Sequence, residues 1–248
     1  MTAATLTIGG RRPVLGTFST GCAGSVALNF APSGGANCDA ACPYHPATTS
    51  PHAEPAGARC YAVKCEARYS TTLAPKLARH AAAGAEAVVA AADRECAERG
   101  YRLPWFRFSA FGSVPAAVPA GFRRLVERLA AAGTPVHLPI ESARKANRYR
   151  RARQGLGVAV RESVAGRRRW LAAPAACSVV GGTMADAPRE RIAASKALAA
   201  ARRRATGRRV VVCPAVAGKH LRTGTDRAKC GRCTACADPG TDIVYPAH

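Results

Sequence analysis

The stretch Pro135-Val-His-Leu-Pro-Ile140-Glu-Ser142-Ala-Arg-Lys-Ala-Asn-Arg-Tyr-Arg150-Arg-Ala-Arg153-Gln-Gly-Leu-Gly157-Val-Ala-Val-Arg161 decides the fold. Its first six residues are a short, mostly apolar run, which reads as a strand. Ser142 is placed to cap a helix that runs to about Arg153, where glycines break the pattern. A second apolar run begins at Gly157. Strand, helix and strand in succession call for a parallel pair joined by a right-handed crossover.

The same rhythm extends in both directions. Upstream, Gly24 to Phe30 and Trp105 to Phe111 read as strands, and Gly121 to Ala132 as a helix ended by Gly133. Between the first two strands, Lys64 to Arg99 is rich in Ala, Glu, Arg and Leu, with Gly84 as the break between two helices. Downstream come a basic segment through Trp170, an apolar run from Ala175 to Val180 ending in Gly181-Gly182, a helix from Pro188 to about Ala205, and a strand from Arg208 to Cys213. Six strand-then-helix units predict an α/β fold, a partial (β/α)6 barrel, with a doubly wound sheet as the alternative. In both, function gathers at the carboxyl ends of the strands. The expected organisation is a barrel over 1–212, including a cysteine-rich loop at 31–63, and a cysteine-rich appendage over 213–248.

Eleven cysteines in a chain read as cytoplasmic favour metal ligation or redox chemistry over disulfides. Cys230, Cys233 and Cys236 are separated by two residues each, and Cys213-Pro214 supplies a remote fourth thiolate, a ferredoxin-like pattern for a [4Fe-4S] cluster. Zinc is the alternative metal, although zinc sites pair two knuckles more often than they chain three cysteines. Cys38, Cys42 and Cys60 form a second, less regular set, which leaves one iron open unless Cys65 or His45 completes it. Cys22, Cys96 and Cys177 lack partners at ligand spacing and read as small buried side chains.

The N-terminal cysteines, with Cys60-Tyr61-Ala62 and the repeated strand-helix units, resemble the radical S-adenosylmethionine superfamily. The tail with Cys213-Pro214 and Val244 to His248 is similar to a phage and plasmid gene-product family. The resemblance implies one or two [4Fe-4S] clusters, S-adenosylmethionine as cosubstrate, an electron donor, and radical chemistry on an anionic substrate. It also directs attention to Ser109 and Gly112 at the end of the second strand as cofactor-binding positions, although Phe111-Gly112-Ser113 stands where that superfamily has Gly-Gly-Glu. Glu141 and Glu162, each followed by serine where a strand ends, are further candidates for cofactor binding. The first-turn helix dipole is their other explanation.

A formal charge of +22 attracts polyanions and makes nucleic acid or a nucleotide the expected partner. Six basic residues between Arg144 and Arg153 surround Tyr149, and Arg167-Arg-Arg precedes Trp170, so each segment combines phosphate-binding charge with an aromatic ring for base stacking. Solvated helix faces and aromatic rings packed on the sheet are the alternatives. No apolar run in the first 15 residues supports a leader or a membrane span, and no phosphate-binding loop or Ser-His-Asp order is present.

Overall fold

In a computed structural model the described residues are 16–17, 25–32, 70–71, 73–109, 113–140, 142–164, 167–173, 176–181, 186–214 and 233–246. The strands are β1 (Gly16–Thr17), β2 (Ser25–Leu28), β3 (Trp105–Phe108), β4 (Val136–Ile140), β5 (Ala159–Val164), β6 (Cys177–Gly181), β7 (Arg209–Val212) and β8 (Thr241–Pro246). The helices are α1 (Leu73–Ala83), α2 (Ala85–Glu98), α3 (Phe122–Ala131), α4 (Ala143–Ala152), α5 (Arg167–Ala172) and α6 (Pro188–Thr206). Gly84, at φ 80°, separates α1 from α2, a backbone angle that only glycine adopts without strain.

All strands form one sheet in the order β1-β2-β3-β4-β5-β6-β8-β7. β1 is antiparallel to β2, and the other seven strands are mutually parallel. The expected α/β alternation is therefore present. Closure into a barrel is not, because β1 and β7 remain as the two edges. The reading also missed β8. Thr241–Pro246, expected in a C-terminal appendage, is inserted between β6 and β7 as an internal strand.

Side chains alternate across the sheet, and register partners share a face. Val26, Leu28, Phe106, Phe108, Val136, Leu138, Ile140 and Val160 point to one side and pack with Val88, Val89, Phe122, Leu125 and Tyr149 of α2, α3 and α4. On the same side, Val164, Cys177, Val179, Val210 and Val244 form a second cluster with Trp170 of α5 and Ala199 of α6. Helices α2 to α6 thus cover one face. At the end of β6, a Cβ on Gly181 would lie 2.4 Å from the Ser195 Oγ and 2.8 Å from its Cα, so glycine is what lets α6 approach the strand.

Two buried histidines make stability depend on pH. His80 is 3% exposed and its Nδ1 donates to the Asn29 carbonyl at 2.6 Å, while His137 is also 3% exposed. Burial pushes both imidazoles below the ordinary value of 6.5, and Arg107 and Arg161 push His137 down further. Below pH 6.5 the unfolded chain therefore binds protons that the folded chain does not, so stability falls with acidification. We expect a loss of up to about 1.4 kcal/mol per pH unit for each histidine. Urea unfolding between pH 7.5 and 5.5 should show this slope, and the His80→Gln, His137→Gln double variant should flatten it. An equal slope in that variant would exclude these two residues as its source.

Candidate nucleic-acid interface

The described helix layer is charged on its outer surface. α4 lies over β4 and β5, α5 over β6, and α6 over β6, β7 and β8, so the three follow one another along the sheet. Residues 142–209 contain 18 Lys and Arg against 3 Asp and Glu. The few acids are engaged locally: Glu162 accepts from Arg169 at 3.1 Å, and Glu190 reaches back across the first turn of α6 to accept the Ala187 N–H at 2.9 Å.

The basic run of α4 separates by geometry. Arg148, Arg150 and Arg153 donate to the carbonyls of Ala116, Ala176 and Leu156, at 2.7, 3.1 and 3.0 Å. Lys145 is buried, with its ammonium 3.1 Å from the Ser113 hydroxyl. Arg144 and Arg151 are exposed on α4, Arg167 and Arg168 on α5, and Arg189, Lys196, Arg203 and Arg204 on α6. None of these eight forms an ion pair among the described residues, as judged against the pairs that are formed.

The aromatic rings expected to stack on bases are inside. Tyr149 is fully buried, edge-on to Phe122 at 5.0 Å, and its hydroxyl donates to the Pro115 carbonyl at 3.2 Å. Trp170 is also fully buried, donates its indole N–H to Leu198 O at 3.1 Å, and carries the Arg202 guanidinium 5.2 Å over its ring. The packed-ring alternative holds for Trp170, and Tyr149 is packed inside as well. What remains at the surface is charge, suited to phosphates and not to bases.

Of the cofactor candidates, Ser109 and Glu162 lie among the described residues. Ser109 ends β3 at φ 57°, buried, its N–H on the Leu28 carbonyl at 2.7 Å. Glu162 faces the helix layer, where Arg169 holds it. Gly112 and Glu141 lie outside the described residues.

The metal expectation is overturned. Among the described residues no group of three or more His, Cys, Asp or Glu side chains could hold a metal ion. Cys233 and Cys236 are free thiols, with Cys236 3.4 Å from the Tyr245 hydroxyl, and Cys213 is half-buried just after β7. Of the other expected ligands, Cys38, Cys42, Cys60 and Cys230 lie outside the described residues. The [4Fe-4S], zinc and S-adenosylmethionine assignments and the radical mechanism fall with this finding, and the electron donor loses its acceptor. A ligand set is defined by converging side chains, and sequence intervals alone do not supply that convergence. Cys96 and Cys177, by contrast, are fully buried, and burial pushes each thiol up to about 12.

The chain matches no family model, no curated protein and no solved structure. The resemblance to the radical S-adenosylmethionine superfamily and to phage or plasmid proteins is thereby withdrawn.

Proposed function

We propose that this protein binds nucleic acid through the phosphate backbone, on the surface formed by α4, α5 and α6, with little preference for sequence. The observation that carries this reading is the set of eight exposed, unpaired cations on three successive helices. Each would neutralise a phosphate and release a condensed counterion. With Tyr149 and Trp170 buried, the described part of this surface has no aromatic platform for unstacked bases, which favours duplex over single strands. The protein works in the cytoplasm in this reading, in keeping with the free thiols at Cys96, Cys177, Cys233 and Cys236. No described helix is long and apolar enough to cross a membrane.

The test is fluorescence anisotropy with a short duplex over a series of KCl concentrations. Affinity should fall steeply with salt and be nearly the same for a scrambled duplex. Replacing Arg167, Arg168, Arg203 and Arg204 by Gln should reduce the slope of log K against log salt by about 3 to 4, at about 0.9 for each phosphate contact removed. An unchanged slope would move binding elsewhere on the protein, and no binding at low salt would reject the function.

A further inference from the structure

We propose that the face of the sheet turned away from α2 to α6 holds a small phosphate-type oxyanion between Arg107 of β3, His137 of β4 and Arg161 of β5. The site is independent of the basic helix surface, because it lies on the opposite side of the sheet.

Register places the three residues together. Arg107 pairs with His137, and Arg161 pairs with Pro139, two residues beyond His137 on the same strand. Register partners share a face, so all three side chains leave the sheet on the side away from Phe106, Leu138 and Val160. Trp105 is on that side too, edge-on to His137 with ring centroids 6.3 Å apart.

Three nitrogens on this face lack partners. The Arg107 Nε, the His137 Nε2 and the Arg161 Nε are each buried without a hydrogen bond. Buried polar atoms are almost always paired, so three orphans on neighbouring strands are an anomaly that one ligand would resolve. The chemistry also fixes the sign of the ligand. Neither arginine forms an ion pair among the described residues. The Asp238 carboxylate, held low chiefly by the Thr241 hydroxyl and in part by Arg161, is committed to Thr241, the Gly240 N–H and Arg209, while Glu162 and Asp242 sit on the other face with Arg169 and Arg202. Among the described residues the two guanidinium groups therefore leave this buried place net positive.

The geometry of Arg161 gives the site a rigid wall. It is fully buried, and its two terminal nitrogens donate to the carbonyls of Cys177, Ala235, Cys236, Asp238 and Thr241. That clamp fixes the guanidinium and leaves Nε–H as its uncommitted donor. A neutral His137 can carry its proton on Nε2 and donate it, and Arg107 brings its own Nε–H. Three uncommitted N–H donors on one face of three neighbouring strands suit the oxygens of a tetrahedral phosphate.

Isothermal titration of the full chain with inorganic phosphate, at ionic strength matched with chloride, tests the site. Saturable binding at one per chain is expected, weakened about 10- to 100-fold by Arg107→Gln. The Arg167, Arg168, Arg203 and Arg204 to Gln variant should bind phosphate as the wild type does, which separates this site from the nucleic-acid surface. A parallel titration with a nucleoside monophosphate identifies the source of the group: much tighter binding assigns it to a nucleotide, and equal binding to the free ion. Should Arg107→Gln fail to fold, the imidazole resonances of wild-type His137 provide the second readout and should shift on phosphate addition. Absence of saturable binding by either ligand, an unmoved His137, or full affinity in a folded Arg107→Gln protein would overturn the proposal.

Discussion

Asp242→Ala is expected to lower the unfolding free energy by about 3 to 5 kcal/mol, because it removes the counter-charge from a fully buried arginine. The Asp242 carboxylate accepts from the Arg202 Nε at 3.0 Å, from the Arg208 Nε at 3.1 Å and from the Cys177 backbone N–H at 3.1 Å. Asp242 and Arg202 are both completely inaccessible to solvent. The remaining Arg202 nitrogens donate to Leu171 O and Ala173 O at 3.0 and 2.7 Å, which joins α6 to the end of α5. Removing the carboxylate leaves those carbonyls in place but strands a charge in the second core cluster. Nothing described nearby can replace it.

Arg208, with a quarter of its side chain exposed, can turn to water. Arg202 cannot. Urea unfolding should therefore show a lower midpoint with an unchanged dependence on denaturant, and thermal unfolding a midpoint lower by about 10 °C. Removing both charges together, as Arg202→Met with Asp242→Leu, should cost less than Asp242→Ala alone, since no unpaired ion remains. A loss under about 1 kcal/mol for Asp242→Ala would show that water reaches Arg202 and that the pair is not the lock on β8 inferred from its burial.

Phe122→Ala should cost a comparable 3 to 5 kcal/mol, roughly, by a different route, the opening of a cavity. Phe122 is fully buried at the start of α3, with its ring centroid 5.1 Å from Phe108 and 5.0 Å from Tyr149, and Phe108 is 4.9 Å from Phe106. The four rings form a continuous row from the sheet through α3 to α4. The neighbouring rings are held in place, Phe108 by its strand and Tyr149 by its hydroxyl bond to Pro115, and close packing lets the space refill only in part. Phe122→Leu should retain more than half of the lost stability because it keeps most of the volume. Equal loss for Leu and Ala would indicate that ring stacking matters more than filling. Because Phe122 and Asp242 lie in different core clusters, their effects should add to within about 0.5 kcal/mol.

Much of the fold was legible because it depends on local chemistry. The helix that begins at Pro188 and stops before Gly207, the break at Gly84 and the apolar run at 136–140 each announce themselves by residue type and spacing. β8 did not. Thr241–Pro246 follows a long segment with no helical pattern, and nothing in those six residues states that they insert between β6 and β7. That position is fixed by pairing with distant strands and by Asp242 meeting Arg202 from 40 positions away.

The sites divide in the same way. The surplus of basic residues between 142 and 209 is a property of the sequence, and the exposed helix surface follows from it. Which arginines remain free was decided by tertiary contacts: Arg148, Arg150 and Arg153 found backbone carbonyls, whereas Arg144 and Arg151 did not. Tyr149 and Trp170 gave the same signal as base-stacking rings until burial assigned them to the core. The set of Arg107, His137 and Arg161 had no signal at all, since the three stand 30 and 24 positions apart in segments that read simply as strands. Sequence determined the α/β class, the six strands from β2 to β7 and the sign of the surface charge, because propensity, period and charge are local or summed properties. Convergence is neither, so the places of β1 and β8 and the grouping of Arg107, His137 and Arg161 on one face were decided only when the strands took their register.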